Sequence, residues 1–181
     1  MSDRSPAPGG LALVEDLVNT IDLETGADSL DTPEGRGRFG VTEDDLPGVR
    51  ELRESLRAVL LAHAGHPPHR TVTPLGELLA AAPLVVTVDP ADGTAALAPA
   101  RDGSLTGKVA AAVAEALVAG TWARLKACEA ADCHWAYYDR SPAGRGRWCS
   151  MRVCGARAKM RRYRAKGAEP GQGGLSRVSP R

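Results

Sequence analysis

Four cysteines, the only ones in a chain of 181 residues, fall as two pairs of equal spacing, Cys128-x4-Cys133 and Cys149-x4-Cys154. Fifteen residues separate the pairs. Thiolates are soft donors, and four of them gathered by two short loops make the tetrahedral shell that Zn²⁺ prefers. Four ordinary buried thiols or two disulfides are the competing readings. The matched pairing, with Arg and Trp beside it and no cysteine elsewhere, favours the metal. With sulfur at all four positions no coordination site stays open for water, so this metal would hold structure and do no chemistry. No P-loop, no GxGxxG, no GxSxG and no nucleophile–base pair at readable spacing occurs elsewhere. The chain reads as a binding protein and not as an enzyme.

The residues around the thiols must position them. Trp135, Tyr137 and Trp148 lie on short apolar-aromatic runs flanking DRSPAGRGR, which predicts strand, turn and strand between the two cysteine pairs. Ser150 can cap a helix on which Val153, Ala156, Met160 and Tyr163 form one narrow apolar stripe. Arg152, Arg157, Lys159, Arg161, Arg162, Arg164 and Lys166 surround that stripe. A knuckle, a hairpin and a helix bearing the second ligand pair make a treble-clef finger. So small a unit buries little core, so the metal must supply most of its folding free energy.

The run Cys-x4-Cys-x-Trp, Tyr-x-Asp-Arg-Ser, Arg-x-Arg-Trp-Cys-Ser-Met and Cys-Gly-x-Arg-x-Lys resembles the CGNR zinc-finger family. The resemblance implies a C-terminal treble-clef finger joined to an N-terminal ABATE domain, in a protein that regulates transcription. Cys128, Cys133, Cys149 and Cys154 fall on the zinc ligands of that family. Gly155 and Arg157 fall on its signature tetrad, where Ala156 replaces the family's Asn. Gly146 interrupts what is otherwise an unbroken Arg-Arg pair before Trp148. Upstream the resemblance runs from Val18-Asn19-Thr20 to Trp122 and, by analogy, implies a small-molecule effector of the N-terminal domain.

The near-neutral total of +1 hides a split. Residues 1–127 carry 11 Lys and Arg against 18 Asp and Glu, whereas residues 128–181 carry 12 against 4. An acidic body joined to a basic arm suits a polyanionic partner for the arm alone. No acid lies between Arg140 and Lys166 to pair the arginines there. Arg145, Arg147, Arg157, Arg161, Arg162 and Arg164 are therefore the expected phosphate or base contacts, the planar guanidinium fork suiting both. The expected partner is DNA in preference to RNA. Aromatics exposed on the hairpin would favour single-stranded RNA, an exposed Arg helix on a two-fold homodimer would favour duplex DNA, and docking on a protein is the third use of such a finger. No apolar run approaches ~20 residues and MSDRSPAPGG has no signal-peptide core, so no membrane association and a soluble, cytoplasmic protein are expected. Reduced thiols there favour zinc over disulfides.

In chain order, residues 1–10 are rich in Pro and Gly and read as loose. Leu13, Val14, Leu17, Val18 and Ile21 recur at helical spacing. Asn19 and Thr20 end that helix, where they could face a ligand pocket or satisfy the helix's own backbone. Residues 24–40 show no period and read as a mobile loop. Thr42 with Asp45 and Val41 with Leu46 predict the start of a helix bearing Val49, Leu52, Leu56, Val59, Leu60 and His63. His63, His66 and His69 share no helix face across Pro67-Pro68, which argues against a second metal site. A short helix holds Leu75, Leu78 and Leu79, and residues 84–88 and 94–98 form a hairpin. A long helix from Ser104 to about Trp122 then delivers the chain to Cys128. The expected fold is α+β: a mostly helical ABATE-like regulatory domain with a β-hairpin over residues 11–124, a treble-clef finger over 125–166, and a disordered tail over 167–181.

Overall fold

The computed structural model describes residues 5–101 and 103–167. The expected tail, from residue 168 on, lies outside the described residues, as do residues 1–4 of the N-terminal stretch. The rest of that stretch is tied down. Ala7 is buried and donates its amide to Glu15 Oε2 at 2.6 Å, and Arg140 donates to the carbonyls of Ser5 and Pro6.

The architecture is α+β. Three helices, α1 (Leu11–Val18), α3 (Leu46–His63) and α5 (Leu105–Val118), pack around one apolar core. Their periodic residues supply it: Leu11, Val14, Leu17 and Val18 from α1, Leu52, Leu56 and Leu60 from α3, Val109, Ala112 and Ala116 from α5. The expected start of α3 is shifted by one turn. Asp45 Oδ2 accepts from the amide and hydroxyl of Thr42, but Asp45 itself occupies the N-cap. Ser104 caps α5 as expected, accepting from the Gly107 amide at 2.9 Å. That helix stops at Val118, short of Trp122, and a 3₁₀ turn over Trp122–Arg124 completes the connection. Leu117, though at helical spacing from Val109 and Val113, is exposed.

Residues 24–40 are not a free loop. Ile21 bridges Asp28, a 3₁₀ turn covers Ser29–Asp31, and α2 (Pro33–Gly37) follows. Asp28 and Thr32 cap these turns through the amides of Leu30 and Gly35. Leu30 and Phe39 enter the core. Two apolar residues nine apart show no helical or strand period, so pattern reading overlooks a segment whose order comes from caps.

β1 (Leu84–Val88) and β2 (Ala95–Pro99) pair antiparallel from Leu84↔Pro99 to Val88↔Ala95, and the hairpin rests on α5, with α4 (Leu75–Ala80) leading into it. A second two-stranded sheet joins β3 (Leu125–Ala127) to β4 (Ala136–Tyr138), with Lys126 opposite Tyr137. This corrects the expected pairing. β4 pairs backwards with the strand before the first cysteine, and not forwards across DRSPAGRGR with the strand at Trp148. Leu125, Ala127 and Ala136 all belong to the helical core, so half of the finger's sheet is anchored in the N-terminal body. A π-helical turn over Met151–Gly155, capped by Ser150, then leads into α6 (Ala156–Gly167).

Candidate metal centre and basic helix

The thiols arrive from three places. Cys128 directly follows β3, and its amide donates to the Trp135 carbonyl at 2.9 Å. A tight turn sets Cys133, whose amide donates to Ala130; His134 follows in the left-handed region at φ 48°. Cys149 precedes the capped turn that carries Cys154. The four Sγ atoms lie within 4.8 Å of one another, with Cys133–Cys149 at 3.6 Å and Cys149–Cys154 at 3.7 Å. A disulfide needs about 2.05 Å, so none is formed. Sulfurs at about 2.3 Å from a central ion would sit about 3.8 Å apart at the corners of a tetrahedron, close to the observed edges. The donor set and its spacing fit a metal ion.

The electrostatics point the same way. Thiol protons donated by Cys133 and Cys149 hold the Cys128 thiol down at about 2. The same bond to Cys128 pushes Cys133 up, and Cys149 up to about 12. Burial, then the Cys128 charge, raises Cys154. Crowding four sulfurs together disfavours ionising all of them at once; four thiolates need a cation among them. Trp135 and Trp148 pack on the cluster and Tyr137 is fully buried in it.

Beside the cluster, Asp139 organises the DRSPAGRGR loop, a role that residue-type reasoning had not assigned. It is 1% exposed and accepts from Lys126 Nζ at 3.0 Å, the Ser141 amide at 3.0 Å and the Gly146 amide at 2.7 Å. Burial would raise its carboxyl, but the bonds from Ser141, Lys126 and Gly146 outweigh it and hold the group well below the usual range. A Cβ at position 146 would lie 2.8 Å from Asp139 Oδ1, so this glycine admits the carboxylate where an arginine's Cβ would not. The available signal was the Asp-x-Ser spacing of an Asx turn.

The six sequence-selected arginines divide. Arg147 makes a two-pronged pair with Glu129 and lies over the Trp148 ring, 5.4 Å from its centroid. Arg157 Nη1 is 3.0 Å from Glu24 and 3.8 Å from Asp132. The absence of acids within residues 141–165 therefore did not leave these two unpaired: their partners come from the knuckle and from the segment after α1. Arg145, Arg161, Arg162 and Arg164 are exposed and form no side-chain ion pair among the described residues. The α6 stripe packs on nothing expected of it. Met160 is 51% and Tyr163 75% exposed, and the helix packs chiefly on the turn that precedes it.

Asn19 and Thr20 spend their side chains on the fold. Asn19 Nδ2 donates to the Ala136 carbonyl at 3.0 Å and its Oδ1 accepts the Ala136 amide at 2.7 Å, so the side chain pairs with β4 as a strand would. The Thr20 hydroxyl donates to Leu17 O and accepts from Arg53 Nη1. Arg57, wholly buried, was also missed by residue-type reasoning. It pairs with Glu54 at 3.0 Å and donates to the carbonyls of Val18 and His134 at 2.7 and 2.8 Å, tying α1 and α3 to the knuckle. The three histidines disperse: His63 Nδ1 donates to Leu125 O, His66 faces Glu129, and His69 meets Glu54 at 3.0 Å.

A helical body fused through shared core to a four-cysteine, Arg-rich finger defines a two-part zinc-finger protein. Residues 124–167 match the CGNR zinc finger, and residues 11–120 match ABATE, described as "Putative stress-induced transcription regulator". The second match alone spans more than half of the chain, and the chain belongs to this ABATE–CGNR zinc-finger family. No curated protein matches it.

Proposed function

We propose that the protein regulates transcription by binding DNA through its finger, with Zn²⁺ held by Cys128, Cys133, Cys149 and Cys154. The observation that carries this reading is a helix, α6, that packs chiefly on the turn before it and displays Arg161, Arg162 and Arg164, with Arg145 on the adjacent loop, all four without internal ion pairs among the described residues. Such groups are positioned to neutralise phosphates. Bound Zn²⁺ supplies a fourfold cross-link and, with its shell filled by sulfur, no Lewis-acid site. The chain's own residues do the rest: Ser150 starts the helix, Asp139 fixes the arginine loop, and Arg57 and Asn19 fasten the knuckle to the N-terminal domain. That fastening supports coupling between the two parts, and we read a small effector of the helical domain, acting in the cytoplasm, as the regulatory input. Anisotropy titrations of the metal-loaded protein with duplex DNA, single-stranded RNA and heparin test the reading. Tighter binding of duplex than of the other two polymers is expected. Equal affinity for all three reduces the finger to a cationic patch, and no binding to any of them turns it into a protein-docking module.

A further inference from the structure

The helix α6 has two sides, and they differ. One carries Ala156, Met160 and Arg164 in a shallow groove. The other opens on a groove of about 990 Å³ whose walls include Arg147, Trp148, Met151, Lys159, Arg162 and Tyr163. We propose that this second groove receives an unpaired nucleotide, its base stacked against the Trp148–Tyr163 wall and its phosphate held by Lys159 and Arg162. The inference rests on the nucleic-acid reading above and adds, beside the duplex contacts of the arginines, a site for an unpaired segment.

Three features of the groove support it. Tyr163 presents its ring to solvent at 75% exposure, with Arg161, Arg162 and Arg164 around it on the helix. A solvent-facing aromatic among arginines gains nothing for the fold and is the pairing that single-strand sites use. Opposite, Trp148 is fixed before any ligand arrives. Arg147 lies over its ring at 5.4 Å and is itself clamped by Glu129, while the ring's Cδ1 edge lies near Gly155 at the end of the turn. A Cβ at Gly155 would stand 3.4 Å from Trp148 Cδ1, an ordinary contact, and 3.1 Å from Met151 Sδ, which the flexible methionine would have to relieve. The signature glycine thus leaves Trp148 and Met151 room to lie close against the turn as an apolar wall. Finally, the groove's charge is complementary to a phosphodiester. Glu129 is its one acid, and it is already committed to Arg147. Bases stacked in a duplex cannot offer a face to a side chain, so only an unpaired or melted segment can use this wall.

Tyr163 is exposed and touches no core, so its replacement leaves the fold and metal binding intact. The full-length, metal-loaded protein is titrated with a labelled oligo-dT strand, an oligo-U strand of equal length, and a duplex. Tyr163→Ala weakens the single strands by about 5- to 100-fold, and Tyr163→Phe restores them, because stacking needs the ring and not the hydroxyl. The slope of log K against log salt stays the same, since no phosphate contact is lost. Duplex affinity changes less than about twofold, and Met160→Ala, on the other side of α6, changes neither. The tighter of the two single strands identifies whether DNA or RNA is the source, through the 2′-hydroxyl. An equal loss for duplex and single strands, or none for any, overturns the inference while leaving the parent reading standing. Dissociation of a dimer by Tyr163→Ala with oligonucleotide binding unchanged also overturns it, making the groove a self-association surface. Wild-type protein that binds no polyanion defeats both.

Discussion

At the scale of the residue, the cysteines were legible because metal coordination imposes type and spacing on the sequence itself. Arg57 was not, because a buried arginine on a helix face looks like any solvated charge until its partners are known. Those partners sit at Glu54, Val18 and His134, and only the last two are remote in sequence. Arg57→Met strands two carbonyls and leaves Glu54 to Arg53 and His69. Breaking a buried pair of this kind costs about 3 kcal/mol or more, read as a lower urea midpoint of the metal-loaded protein. Arg57→Lys recovers little, since an ammonium cannot serve three directions in the guanidinium plane. The half-buried His63 gives a pH dependence. Burial depresses its imidazole, although the bond to Leu125 O acts in the opposite sense. As pH falls through about 6.5 the unfolded chain therefore takes up a proton that the folded chain refuses, and stability declines from there downward. His63→Asn keeps a donor for Leu125 O and removes the titration, so its denaturation midpoint should fall less than wild type between pH 7.5 and 5.5. Parallel pH profiles would show that His63 is not among the groups responsible.

At the scale of the element, the three main helices were readable from their 3.6-residue period, and the β1–β2 hairpin from its β-branched run and turn. Two features were not. The turns over residues 28–37 are held by capping side chains, which leave no periodic trace. The pairing of β3 with β4 involves three residues on each strand, too few for alternation to specify a partner. That pairing changes the expected response to metal removal. A free-standing finger would unfold as a unit, but here Leu125, Ala127 and Ala136 are set in the helical core and Asn19 bonds Ala136 from α1. Chelation should therefore release the turn at Cys133, the loop at 141–149 and α6, while amides of β3 and β4 stay protected. Hydrogen exchange with and without chelator measures this segment by segment. Complete loss of protection through residues 125–138 would mean that the metal, and not the core, holds the sheet.

At the scale of the whole molecule, the split between an acidic body and a basic arm was visible in composition, but the contacts between the two were not. Acids from the body and the knuckle reach the arm: Glu24 and Asp132 take Arg157, and Glu129 takes Arg147. Of the six arginines suggested by the sequence, four thus stay ready for phosphate: Arg145, Arg161, Arg162 and Arg164. With about 0.9 counterion released per phosphate, log K for duplex DNA should fall against log salt with a slope near −3.6, where six contacts would give about −5.4. Glu24 provides the internal check. Its pair with Arg157 is largely exposed, so it is weak and a phosphate can displace it. Glu24→Gln should leave the metal site and stability nearly unchanged, raise duplex affinity at low salt, and steepen the slope by about one unit as Arg157 joins the contact set. Glu34→Gln removes the same charge from a remote surface, on α2, and should raise affinity without steepening the slope. If the two variants behave alike, Glu24 acts only through the overall field of the body. If Glu24→Gln alone steepens the slope, the segment after α1 holds back an arginine of the finger's signature, and the N-terminal domain bears directly on how tightly the finger binds.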